Sequence, residues 1–168
     1  MADGFLGTAR RRALGAGLAA ALGAMAAAAA AQDRDRHVGY YYPPVTVTES
    51  YQAAATTVTG ASRVRRIGLI AAITQKSAAG SYAPPYIMFV KGAEAEKLIV
   101  IGMGDYVANI YQARALLAQL TAQARFTEIF KEVDAEHRLT FLDLLKMLGF
   151  EQVTVSDGKS YSLQITIK

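Results

Sequence analysis

Two unbroken apolar runs, Tyr86-Ile87-Met88-Phe89-Val90 and Leu98-Ile99-Val100-Ile101, are separated by Lys91 to Lys97. The separating segment holds Gly92 and two glutamates, so it reads as a turn, and the runs on either side read as a β-hairpin. A strand that is apolar at every position has both faces covered, which predicts that this hairpin is central in a sheet. The remaining elements have to be arranged around it.

Before the hairpin, Val64, Ile67, Leu69, Ile70 and Ile73 within Arg63 to Thr74 suggest another strand, with Arg63, Arg65 and Arg66 as a charged edge that discourages aggregation. Ser77 to Pro85 reads as a loop. After the hairpin, Asp105 can cap a long helix running to about Arg125, in which Ile110, Ala113, Leu117, Leu120 and Ala124 recur at helical spacing. A second helix is signalled by Thr140-Phe141-Leu142-Asp143, a capping box with Asp in place of Glu, by a Leu139–Leu144 staple and by Gly149 just past its end. Thr127 to Val133 can add one or two turns between them. The C-terminus reads as a hairpin. A three-residue loop, Ser156-Asp157-Gly158, sets Val153 opposite Tyr161 and Thr154 opposite Ser160, and puts Leu163, Ile165 and Ile167 on the core face. The order strand, hairpin, helices, hairpin predicts an α+β fold: a mainly antiparallel sheet with two or three helices packed on one face.

The first 31 residues read as a signal peptide. Arg10, Arg11 and Arg12 form a basic start, Leu14 to Met25 an apolar stretch, and an alanine run ends at Ala31 before Gln32-Asp33-Arg34-Asp35, which places cleavage after Ala31. An uncleaved anchor is the competing reading, and the abundance of Ala and Gly weakens it. Arg10-Arg11-Arg12-Ala13-Leu14 also fits a loose twin-arginine pattern. General secretion is preferred, because no cofactor motif follows that would call for folding in the cytoplasm. The expected location is periplasmic or otherwise exported, with membrane contact only through the signal peptide. Residues 32–44 form an extended arm carrying Tyr40, Tyr41 and Tyr42 ahead of Pro43-Pro44, and residues 45–168 form one α+β domain.

Composition excludes several classes of function. The chain has no cysteine, hence no disulfide, thiolate metal site or cysteine nucleophile. Removing residues 1–31 lowers Lys plus Arg from 18 to 15 and Asp plus Glu from 14 to 13, so the formal charge falls from +4 to +2, too little for a nucleic-acid footprint.

Individual motifs are weak. Ile99-Val100-Ile101-Gly102-Met103-Gly104-Asp105 looks like the strand-to-helix turn of a dinucleotide fold. Val107, however, stands where a small residue is needed, and Asp105 would face the pyrophosphate. Asp33, Asp35 and His37 alternate like metal ligands in a terminal segment that is costly to organise. Ser156, Asp157 and His137 supply triad residue types without a nucleophile elbow. No catalytic residue, metal site or cofactor is assigned. Arg114, Thr121 and Arg125 lie on one flank of the long helix, because steps of seven and eleven residues return to nearly the same direction at about 100° per residue. They are the candidate site for an anion or an acidic partner. Tyr40, Tyr41 and Tyr42 are the candidate aromatic contact.

Gly39-Tyr40-Tyr41-Tyr42-Pro43, Tyr111 to Ala118, and above all FLDLLKMLGFEQVTVSDG from Phe141 to Gly158 resemble a family of exported bacterial proteins. Its members often carry the name molybdopterin-guanine dinucleotide biosynthesis protein A. The nucleotidyltransferases of that name are cytoplasmic and open with a Leu-Ala-Gly-Gly type phosphate loop, which this chain lacks. The resemblance implies export and the domain extent, and it carries over no catalytic residue. Two functions follow as expectations: a non-enzymatic interaction or accessory module whose partner is a periplasmic protein, or a small-molecule binder or enzyme whose site forms only in three dimensions.

Overall fold

The computed structural model describes residues 43–133 and 138–168. In chain order the elements are β1 (Val47–Tyr51), α1 (Arg63–Ala78), β2 (Tyr86–Lys91), β3 (Lys97–Gly102), α2 (Ile110–Ala124), α3 (Glu128–Val133), α4 (Phe141–Met147), β4 (Gln152–Ser156) and β5 (Ser162–Ile167). The strands form one sheet in the order β1-β5-β4-β3-β2. Its two local hairpins, β2/β3 and β4/β5, are antiparallel, whereas β3/β4 and β1/β5 are parallel. A parallel pair needs a crossover that leaves the sheet and returns, and α2, α3 and α4 supply it between β3 and β4. The α+β class expected from the sequence is realised as this five-stranded mixed sheet.

Alternation along the strands sorts the sheet into two unlike faces. Val47 and Tyr51, Met88 and Val90, Leu98 and Val100, Val153 and Val155, and Leu163, Ile165 and Ile167 all join the hydrophobic core with Leu69, Ile73, Leu116, Leu120, Leu144 and Phe150 of the helices and their flanks. The strand residues in between take no part in that core, so the described helices are gathered on one face.

Arg63–Ala78 is a helix and not the strand suggested by its β-branched residues. Its buried side chains are Arg66, Leu69, Ile70 and Ile73, an i, i+3, i+4, i+7 stripe, and Ser62 caps its start by accepting from the Arg65 N–H. Two more expectations are corrected. Of the two strands of this hairpin only β3 is internal and buried on both faces, while β2 is an edge strand that leaves Ile87 and Phe89 exposed on the face away from the helices. The long helix starts later than Asp105: Asn109 is its cap and accepts from the Tyr111 and Gln112 N–H groups. The capping box of α4 forms as read, with Thr140 and Asp143 bonded reciprocally, and Gly149 follows the helix at φ +81°.

The C-terminal loop is longer than three residues. Ser156 pairs with Ser162, Val155 with Leu163 and Val153 with Ile165, so residues 157–161 form the turn. The partner of each β4 residue moves four positions along β5, from Tyr161 to Ile165 for Val153, and an even shift leaves apolar facing apolar. Asp157 is the cause: its carboxylate accepts from the backbone N–H of Lys159, Ser160 and Tyr161 and from the Ser160 hydroxyl, closing a wider turn with Gly158 at φ +72°.

Candidate functional site

A cleft of about 580 Å³ opens between edge strand β1, helix α2 and the start of α4. Its floor is apolar, formed by Leu117, Ala118, Phe141, Leu142 and Ile165. Its rim is polar, formed by Glu49, Tyr51, Arg114, Thr121 and Thr140. The volume falls in the range of small-ligand sites, about 300–1,000 Å³. Helical spacing delivers Arg114, Leu117, Ala118 and Thr121 to one side of α2, and strand alternation delivers Glu49 and Tyr51 to the helix side of β1.

The rim groups are engaged with one another. Arg114 Nη2 donates to Glu49 Oε1 at 2.6 Å. The Thr121 hydroxyl donates to the Leu117 carbonyl and accepts from the Phe141 N–H, both at 3.0 Å, so it joins α2 to the first turn of α4. The Tyr51 hydroxyl reaches Thr140 Oγ1 at 3.0 Å and the two carboxylate oxygens of Asp143 at 3.2 and 3.1 Å. Burial pushes the Tyr51 phenol above its ordinary range, and the Asp143 charge adds to that. Desolvation alone would raise Asp143. The hydrogen bonds from the Thr140 backbone and hydroxyl, the Ala54 N–H and Tyr51 outweigh it and hold the carboxyl below the usual range. The Tyr161 hydroxyl is buried without a hydrogen-bond partner among the described residues, and its pKa is raised by burial and by the charge of Glu49.

Of the candidate anion site, Arg114 and Thr121 meet at this cleft, whereas Arg125 does not line it and donates to the Leu139 carbonyl at 3.4 Å. Glu49 is the residue that sequence reasoning missed. It lies 65 positions from Arg114, and no local pattern links an edge-strand glutamate to a helix arginine. The carboxylate neutralises the guanidinium, so the cleft offers a stranger an apolar floor more than a positive fork.

Tyr40, Tyr41, Tyr42, Asp33, Asp35, His37 and His137 lie outside the described residues. Ser156 ends β4 and braces the turn that follows: its hydroxyl donates to the Tyr161 carbonyl at 2.8 Å and accepts from the Gly158 N–H. The Gly102–Gly104 turn has a packing reason. A Cβ on Gly102 would lie 2.6 Å from Val107 Cγ2, and Gly104 sits at φ +63°. Among the described residues, no three His, Cys, Asp or Glu side chains are grouped to hold a metal ion, and no helix is long and apolar enough to cross a membrane.

A second hollow, of about 550 Å³, surrounds Arg66 with Glu94, Glu96, Lys146 and Glu151 at its edge. Arg66 is buried, and its guanidinium donates to the carbonyls of Glu94 at 2.8 Å and Leu148 at 2.9 Å. A buried charge needs such partners, and here they tie α1 to the β2–β3 turn and to the end of α4. No known protein family, curated protein or solved structure matches this chain.

Proposed function

We propose that this chain is an exported, non-enzymatic interaction module that uses the cleft between β1, α2 and α4 to receive an apolar side chain of a periplasmic partner protein. The observation that carries this reading is the division of labour in the cleft: Arg114 pairs with Glu49, Thr121 bonds Leu117 and Phe141, and Asp143 is saturated by neighbours, while the floor is apolar. Groups occupied in this way are poor acids, bases or nucleophiles, yet they form a hydrated rim around a surface that gains from losing water, the usual anatomy of a protein contact. Export is supported by the order Arg10-Arg11-Arg12, apolar stretch and alanine run, with cleavage after Ala31. Intact mass of the isolated protein tests it, and a chain that keeps Arg10 to Arg12 in the membrane fraction refutes it.

The cleft volume also favours a second reading, an apolar small molecule. Ala118, exposed on α2 at the cleft, separates the two. Ala118→Trp fills the space from the solvent side, and its unfolding midpoint is expected to stay near that of the parent. Affinity capture from periplasmic extract, with native mass spectrometry of the eluted protein, reads the outcome. A protein partner lost in Ala118→Trp supports the interaction module. A retained small molecule lost in the same variant establishes the second reading, and partner recovery unchanged by the substitution sinks the proposed site.

A further inference from the structure

Edge strand β1 turns its main chain towards the cleft. Ser50 lines the cleft together with its neighbours Glu49 and Tyr51. Strand alternation sends the Ser50 side chain to the opposite face of the sheet from theirs, so it is the Ser50 backbone that borders the opening. The bonds to β5 show which backbone groups are in question. The Tyr51 carbonyl accepts from the Lys168 N–H at 2.9 Å, and the Ala53 N–H donates to the Lys168 carbonyl at 3.0 Å, with Tyr51 opposite Ile167 in the parallel register. On one side of a strand such bonds come from every second residue. Glu49 and Tyr51 therefore spend their N–H and C=O groups on β5, while Thr48 and Ser50 turn theirs outward. β1 ends the sheet, and among the described residues no hydrogen bond reaches these outward groups.

We propose that the part of the partner protein received here is an extended segment, which adds to β1 as a further strand of the sheet through the outward groups of Thr48 and Ser50. The inference rests on the cleft reading given above and specifies the shape and chemistry of the partner. An extended segment needs donors and acceptors along its length, and β1 offers both beside an apolar floor. Nothing within Val47–Tyr51 guards the edge: it has no proline or lysine, and its one charge, Glu49, turns to the helix side and is held by Arg114. In an added strand the residue opposite Glu49 points to that same side, towards Leu117, Ala118 and Phe141. Residues opposite Thr48 and Ser50 point to the far face, where both of these are exposed. The segment therefore reads polar, apolar, polar. A second copy of this chain fits poorly, because β1 paired antiparallel through Thr48 and Ser50 would set Glu49 against its own counterpart and bring a carboxylate to the apolar floor.

Four heptapeptides blocked at both ends, Thr-Gln-Thr-X-Thr-Gln-Thr with X as Leu, Ile, Phe or Met, serve as the probe, and titration calorimetry reads binding. At least one is expected to bind saturably. Ser50→Ala changes only the far face and should bind it as the parent does. Ser50→Pro removes one outward N–H, leaves the bonds to β5 in place and should weaken binding about tenfold at an unchanged unfolding midpoint. Should Ser50→Pro disturb the fold, methylating alternate backbone nitrogens of the peptide decides the matter. One alternate set faces β1, and its methylation should abolish binding; the other faces water, and its methylation should not. Equal effects of the two sets, equal effects of the two Ser50 variants, or no binding by any of the four peptides overturns strand addition. Binding that is lost in Ala118→Trp but indifferent to Ser50→Pro and to methylation overturns it as well and leaves the cleft as a side-chain pocket. The cleft reading fails separately, if Ala118→Trp binds the peptide as tightly as the parent does.

Discussion

Asp143, the third residue of α4, accepts the backbone N–H of Ala54 at 2.8 Å across 89 positions of sequence. One carboxylate thus caps its own helix and holds the chain that leaves β1. It receives donors from Thr140 N, Thr140 Oγ1 and Tyr51 Oη as well, and an amide in its place would turn two N–H groups towards donors.

Asp143→Asn is therefore expected to destabilise the domain by about 2–3 kcal/mol, the cost of leaving charge-assisted bonds unmade in a buried setting. The pH dependence follows from the lowered pKa of Asp143. A carboxyl depressed by folding contributes stability that is fully present above the pKa of an unfolded Asp, about 3.9, and is lost as pH falls through the lower folded value. Urea unfolding at pH 7 and at pH 3 should show the parent losing more stability on acidification than Asp143→Asn. Equal losses in the two proteins would contradict the assignment.

Asp157 organises the β4–β5 turn in the same manner. Desolvation raises its pKa, and the bonds from Lys159, Tyr161 and Ser160 bring it below the ordinary value, so its contribution too disappears on the acid side. Asp157→Ala is expected to cost about 1 kcal/mol, less than Asp143→Asn because the turn faces solvent and water replaces part of what is lost. Thermal unfolding at neutral pH checks the order of the two effects.

The same turn shows where local reading stops. Alternation in Val153-Thr154-Val155 and Leu163-Gln164-Ile165-Thr166-Ile167 gives the correct faces, because either loop length keeps apolar opposite apolar. Loop length depends on where the Asp157 carboxylate finds its donors. In α1 the stripe Arg66, Leu69, Ile70, Ile73 is hidden because its first member is a charged residue, and only the distant carbonyls of Glu94 and Leu148 make burial of Arg66 tolerable. The parallel pairings β3/β4 and β1/β5 leave no local mark, since each joins strands distant in sequence. The cleft was half legible: helical spacing brought Arg114 and Thr121 together, but Glu49 reaches them through strand order.

Gly149 and Arg66 constrain each other. Gly149 adopts φ +81°, and a Cβ there would stand 2.8 Å from Arg66 Nη1. Gly149→Ala combines an unfavourable left-handed conformation with pressure on a buried guanidinium, and a loss of about 2–3 kcal/mol is expected. Arg66→Met removes the charge but leaves the Leu148 carbonyl without its donor. In that background Gly149→Ala should cost measurably less, because only the backbone term remains. A double-mutant cycle by chemical denaturation measures the difference, and strict additivity would show that the close approach is relieved elsewhere.

Arg114 and Glu49 form the pair that decides what the cleft accepts. Their separation of 2.6 Å is short, but the arginine side chain is 58% exposed and the glutamate 28%, so water screens the attraction. Exposed pairs of this kind contribute roughly 0–1 kcal/mol, and both Arg114→Gln and Glu49→Gln should leave the unfolding midpoint almost unchanged. Their effect on binding should differ in sign. With Glu49 present the guanidinium is neutralised, and the parent is expected to show no saturable affinity for inorganic phosphate or a short acidic peptide. Glu49→Gln frees a planar donor suited to such anions and should produce weak binding that falls with added salt. Adding Arg114→Gln should abolish it. Titration calorimetry on the three proteins separates these cases. If the parent already binds phosphate as well as Glu49→Gln does, the ion pair does not govern the cleft, and Arg114 with Thr121 reverts to the anion site that their helical spacing suggested.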